Sequence, residues 1–181
     1  MKILFIGSPG SGKSTMASKL HILTNLPLIR LDDHYWLEQW QRPLPDEWLK
    51  TVYNLVSKDQ WIIDGNYFSS IDIRLAAADM VVFLDTPTWI CLLRVFVRAI
   101  KRRLAIDKES LPIRIRCNVT YTPKLNASWH FISLILFYKL KLKPTIVRKL
   151  NASKAEIIIL KNECDIDWFL RNFQLRYSKK V

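Results

Sequence analysis

The sequence predicts an α/β fold: a doubly wound, five-stranded, mostly parallel sheet flanked by helices, with a helical or irregular insertion late in the chain. Three observations predict it. Five short, continuous apolar runs recur along the chain, as strands buried on both faces of a parallel sheet require. Helical patterns separate these runs, and that alternation is the mark of a doubly wound domain. A glycine-rich loop, Gly7-Ser8-Pro9-Gly10-Ser11-Gly12-Lys13-Ser14-Thr15, joins the first run to the first helical pattern. The 181 residues, 50% of them hydrophobic, form one domain, with material for a core that needs neither disulfide nor structural metal.

Taken in order, Ile3-Leu4-Phe5-Ile6 is the first strand, and Met16, Ala17, Leu20 and Leu23 mark the helix after the loop. Residues 26–31 read as the second strand and 46–59 as a helix with Asp46 placed to cap it. The third, fourth and fifth strands fall at 61–64, 80–85 and 155–160. Residues 86–103 read as a helix with Arg94 and Arg98 on one face and Leu92, Leu93, Val95, Phe96 and Val97 directed inward. Periodicity is weak over 104–125, as in a lid that excludes water from a ligand site. The apolar stretch 129–138 falls short of a membrane span and reads as a buried core helix.

The glycine loop fits the spacing Gly-x4-Gly-Lys-Ser/Thr, and strand, loop, helix is the context that gives this spacing meaning as a phosphate-binding P-loop. Several backbone N–H groups must converge on one phosphate, and glycine permits both the bend and the close approach. Pro9 has no N–H, so the donors are Gly10, Ser11, Gly12, Lys13 and Ser14. The helix that follows adds its N-terminal partial positive charge. Gly7 through Thr15 thus form an ATP site in which Lys13 reaches the β- and γ-phosphates and the Ser14 hydroxyl ligates Mg²⁺. Glycine is concentrated here: Gly7, Gly10 and Gly12 are three of the chain's four.

Ligands of parallel sheets bind at the carboxyl ends of the strands, where this chain places Asp32, Asp33, Asp64 and Asp85. Magnesium needs oxygen ligands beyond Ser14 and the phosphates. Asp64 is the first choice and Asp85 its competitor. An aspartate after the second strand can take a proton from an acceptor hydroxyl; Asp32 is chosen, with Asp33 in reserve. Tyr35 and Trp36, in the aromatic segment that follows, are placed to contact the acceptor. Arg94 and Arg98 are placed to stabilise charge on the transferring phosphoryl group.

The formal charge of +12 lies in one stretch: residues 94–149 carry 14 Lys and Arg against Asp107 and Glu109, and the rest of the chain is balanced. Such an excess suits polyphosphate, nucleic acid or an anionic membrane surface. Three scattered cysteines, Cys91, Cys117 and Cys164, lack metal-ligand spacing and point to a reducing cytoplasm. No Asn-Lys-x-Asp motif for guanine appears, and neither does a helix-turn-helix or zinc pattern.

Together "IGSPGSGKST", "LDDHYW", "WIIDGNY", "ADMVVFLD" and "CLLRVFVR" resemble the bacterial topology modulation protein family, itself similar to adenylate-kinase-like, nucleoside-monophosphate-kinase-like P-loop kinases. The likeness runs through residues 1–103. It implies an ATP and Mg²⁺ site at Lys13, Ser14 and Asp64, an acceptor region around Asp32 with Gly65 and Asn66, and phosphate-binding roles for Arg74, Arg94 and Arg98. The expected function is ATP- and Mg²⁺-dependent transfer of a γ-phosphate to a hydroxyl or phosphate of a small-molecule acceptor. The alternative is an ATP-binding, DNA-associated protein without small-molecule kinase activity.

Overall fold

The structure, a computed structural model, describes residues 1–103, 112–113 and 133–178. Its strands are β1 (Lys2–Gly7), β2 (Leu28–Arg30), β3 (Trp61–Asp64), β4 (Met80–Leu84) and β5 (Glu156–Leu160). They form one sheet in the order β2-β3-β1-β4-β5, and every neighbouring pair is parallel. The helices are α1 (Lys13–Thr24), α2 (Leu31–Tyr35), α3 (Pro45–Val56), α4 (Ile71–Ala77), α5 (Thr88–Arg103), α6 (Lys143–Asn151) and α7 (Glu163–Ser178). Residues 133–137 are also helical and run through a π turn, Tyr138–Leu142, into α6.

The period of two along the strands divides the core into two layers. Leu4 and Ile6 of β1, Trp61 and Ile63 of β3 and Val81 and Phe83 of β4 pack with Trp48 and Val52 of α3, Ile71 and Leu75 of α4 and Ile146 and Leu150 of α6. Ile3, Phe5, Ile62, Val82 and Leu84 face the other way, onto Met16, Ala17 and Leu20 of α1 and Phe169 and Phe173 of α7. Helices therefore cover both faces, and the predicted doubly wound architecture is the one observed.

Several details differ from the expectation. Leu26 and Pro27 precede β2, which has only three residues. Pro45 opens α3 and the Leu44 N–H donates to Glu47 Oε2 at 3.3 Å, so Asp46 lies in the first turn instead of capping the helix. β5 is an edge strand, so Ile159 is about half exposed. Among the described side chains of α5 the buried one is Cys91, set against the backbone of Gly10, and that rotation turns Leu93, Phe96 and Val97 outward. Leu136 and Phe137 are likewise exposed, while Ile135 and Tyr138 are buried. The expected lid at 104–125 lies outside the described residues apart from Pro112 and Ile113.

Register fixes the functional end of the sheet. Gly7 pairs with Leu84, Phe5 with Asp64, and Arg30 with Asp64. The P-loop and the acids after β2 and β3 consequently meet at one pole.

Candidate active site

The P-loop leaves β1 and wraps the N-terminus of α1. Gly10 has φ +81, and a Cβ there would lie 2.5 Å from the Cys91 carbonyl oxygen, so neither the backbone nor the space admits a side chain. Ser11 is fully buried; its N–H donates to Ser8 O at 3.1 Å. Its carbonyl accepts from Thr86 Oγ1 at 3.1 Å and from an Arg94 guanidinium N–H at 3.3 Å. Two elements beyond β4 therefore hold the loop from outside. Lys13 Nζ donates to Ser8 O at 2.9 Å. Burial pulls the Lys13 pKa down, against the attraction of Asp64 and Asp32.

Asp64, buried at the end of β3, sits across from this lysine. Burial pushes its carboxyl up, while the Lys13 charge and a hydrogen bond from the Ser14 hydroxyl pull it down. Its Oδ1 is buried with no hydrogen-bond partner. A buried carboxylate oxygen without a partner, next to a serine hydroxyl on a phosphate loop, fits a hard divalent cation that prefers oxygen ligands. The competing acid, Asp85, is instead bound through both oxygens by Lys143 Nζ, at 2.7 and 2.8 Å.

The two acids after β2 also separate. Asp33 Oδ1 accepts the Ile113 backbone N–H at 2.8 Å. Asp32 is exposed on the first turn of α2 and its Oδ1 accepts the Tyr67 hydroxyl at 2.6 Å, a charge-assisted length. Burial beside Asp32 pushes the Tyr67 phenol well above its ordinary range, so it stays a donor. Tyr35 packs on Tyr67, with ring centroids 4.3 Å apart, and meets Trp48 and Trp36 edge to face at 4.9 and 5.2 Å. The Arg42 guanidinium lies over Trp36, 5.7 Å from the ring centroid.

Arg74 departs from its expected role. It is fully buried, and its guanidinium donates to the carbonyls of Gly65 (2.7 Å), Asn66 (2.6 Å), Tyr67 (2.8 Å) and Ser70 (3.3 Å). Donors engaged this way have no access to an acceptor phosphate; Arg74 clamps the turn between β3 and α4. That turn needs Gly65, where φ is +144 and a Cβ would lie 2.8 Å from that of Leu31. Asn66 Oδ1 faces the Gly7 N–H at 3.4 Å, tying the turn to the start of the P-loop. Arg94 lies against Gly12 and pairs with Glu163 at 3.5 Å, and Arg98 is exposed four residues on but close enough to act on Lys13.

The structure thus brings together Gly7–Thr15, Asp32, Asp64, Asn66 and Arg94. Sequence reasoning missed Tyr67 as the partner of Asp32, although it ends the stretch "WIIDGNY". It also missed Arg30, whose guanidinium donates to Ser18 Oγ at 3.1 Å and whose charge acts on Asp64.

Among solved structures the chain is similar to shikimate kinase from Acinetobacter baumannii in complex with shikimate. The TM-score is 0.56 at 19% identity, covering 99% of this chain and 94% of that one. The likeness is one of fold. Deoxyadenosine kinase from M. mycoides with bound dATP superposes with a TM-score of 0.49 at 12% identity, over 96% of this chain and 99% of that one. No protein-family model matches the sequence, and no curated protein matches it.

Proposed function

We propose that the protein is an ATP-dependent phosphotransferase acting on a hydroxyl of a small molecule. The observation that carries this reading is the meeting, at one end of the sheet, of Lys13, the partnerless buried oxygen of Asp64 and an exposed Asp32 held by Tyr67. Backbone N–H groups of the loop and Lys13 bind the triphosphate. Ser14 and Asp64 are the residues that would hold Mg²⁺, and the ion, when bound, neutralises charge on the phosphate oxygens.

In the transfer step the acceptor oxygen forms a bond to the γ-phosphorus as the bond to the β–γ bridging oxygen breaks, its electron pair leaving on ADP. Tyr67 occupies one oxygen of Asp32 and the other takes the acceptor proton. Arg94, anchored on the Ser11 carbonyl, and Arg98 bring positive charge to the spreading negative charge. A hydroxyl is favoured over a phosphate acceptor for two reasons. Asp32 would repel an anionic acceptor, and Arg74 is committed to backbone carbonyls.

The test is ATP consumption with Mg²⁺ against nucleosides, sugars, nucleotides and cofactor precursors, with Lys13→Ala as the blank. Asp32→Asn is expected to bind ATP like the parent and to lose transfer by on the order of 10²-fold or more. Equal turnover by Asp32→Asn on an acceptor that stimulates the parent would remove Asp32 as the base.

A further inference from the structure

Five large apolar side chains of α5 stand in solvent: Trp89, Leu93, Phe96, Val97 and Ile100, between 41 and 68% exposed. Their spacing of 4, 3, 1 and 3 residues puts them on one stripe roughly 100° wide, the width of a face that a globular protein normally buries. Cys91, on the opposite side, is buried against the P-loop backbone at Gly10. Leu136, Phe137 and Leu140, 46 to 73% exposed, make a second apolar strip on the helix that leads into α6. Among the described residues, no helix is long and apolar enough to cross a membrane.

Both strips fall within residues 94–149 or at its edge, the stretch that carries the chain's entire excess of +12. Lys101 is exposed on α5 and Lys139 and Lys141 on the second helix, with Lys141 Nζ over the Phe137 ring at 5.8 Å. Nucleic acid would use the charge, but it has no use for a stripe of Trp, Leu, Phe, Val and Ile. A protein partner would use the stripe without requiring the charge. An anionic bilayer uses both at once: the apolar face enters the boundary between headgroups and acyl chains, and each cation near the surface adds to binding.

We propose that α5, with the helix at 133–142, docks the protein on anionic lipid surfaces, lying in the interface without crossing it. The α5 N-terminus abuts the P-loop at Gly10, so docking would place the candidate active site beside the membrane. Docking depends on these surfaces alone and stands or falls separately from phosphoryl transfer.

The test is sedimentation of the full chain with phosphatidylcholine vesicles and with vesicles containing about one-third phosphatidylserine, in about 0.1 M and about 0.5 M NaCl. The parent is expected to partition at least ~10-fold more strongly onto the anionic vesicles, with a blue shift of tryptophan emission and loss of binding at high salt. Leu93→Glu/Phe96→Glu changes only solvent-facing positions and should reduce partitioning ~10-fold or more while circular dichroism stays that of the parent. Vesicle binding equal in variant and parent would overturn the proposal. So would a parent that ignores vesicles: binding of a duplex oligonucleotide would then assign the charge to nucleic acid, a dimer dissociated by the variant would assign the stripe to a second copy, and neither result would leave the surface without lipid.

Discussion

Arg74→Met removes the one guanidinium that ties together the turn between β3 and α4. Four N–H···O=C bonds are lost, to Gly65, Asn66, Tyr67 and Ser70, the last buried and the others partly so, and the carbonyls then face an apolar side chain. Hydrogen bonds from a charged donor contribute roughly 1.5–3 kcal/mol each, or about 6–12 kcal/mol gross. Against this stands the cost of burying the guanidinium, several kcal/mol for a fully buried ion. The net loss is about 3–5 kcal/mol, and at roughly 2–4 °C per kcal/mol for a domain of this size the melting midpoint should fall by about 10 °C. Thermal unfolding followed by circular dichroism measures it. Arg74→Lys should fall between, because a point charge with three donors cannot reproduce the fork. A midpoint for Arg74→Met within about 2 °C of the parent would refute the reasoning, since the four carbonyls would then be served as well by something other than Arg74.

Three further outcomes follow from the site. Tyr67→Phe deletes the 2.6 Å bond to Asp32, along with the hydrogen bond the hydroxyl accepts from Trp36, and should lower the transfer rate about 10-fold while ATP affinity, read by calorimetry, stays that of the parent. Gly10→Ala puts a methyl group 2.5 Å from the Cys91 carbonyl at φ +81, and nucleotide binding should weaken by at least ~10-fold in the same assay. Asp64→Asn removes the buried anionic oxygen from the proposed Mg²⁺ position, so Mg²⁺ should no longer raise the melting temperature in the presence of ATP, whereas the parent gains stability by mass action.

Much of this fold was legible because its signals are local. Trp61–Asp64 is a run of apolar residues closed by an acid, and the structure keeps those bounds for β3. The P-loop is read from its spacing together with the strand and helix that flank it, all within one short stretch. Contacts between distant segments were not legible. Nothing in the pattern of Arg74 says whether its guanidinium meets a ligand or four carbonyls; that depends on the path of the turn at 65–70. The orientation of α5 was misread for a similar reason. An apolar stripe predicts a buried face, but Cys91 against Gly10 fixes the helix rotation and leaves the stripe outside. Tyr67 was hidden because its partner lies 35 residues away, joined only when β2 and β3 pair.

The most direct test of phosphoryl transfer is ADP release by the parent and by Asp32→Asn, with Mg²⁺·ATP and a panel of hydroxyl acceptors, matched by detection of the phosphorylated acceptor. The expected result is stoichiometric ADP and phosphorylated product with one acceptor class in the parent, lost in Asp32→Asn although it still binds ATP. ATP turnover that no acceptor stimulates, unchanged by Asp32→Asn, would contradict it.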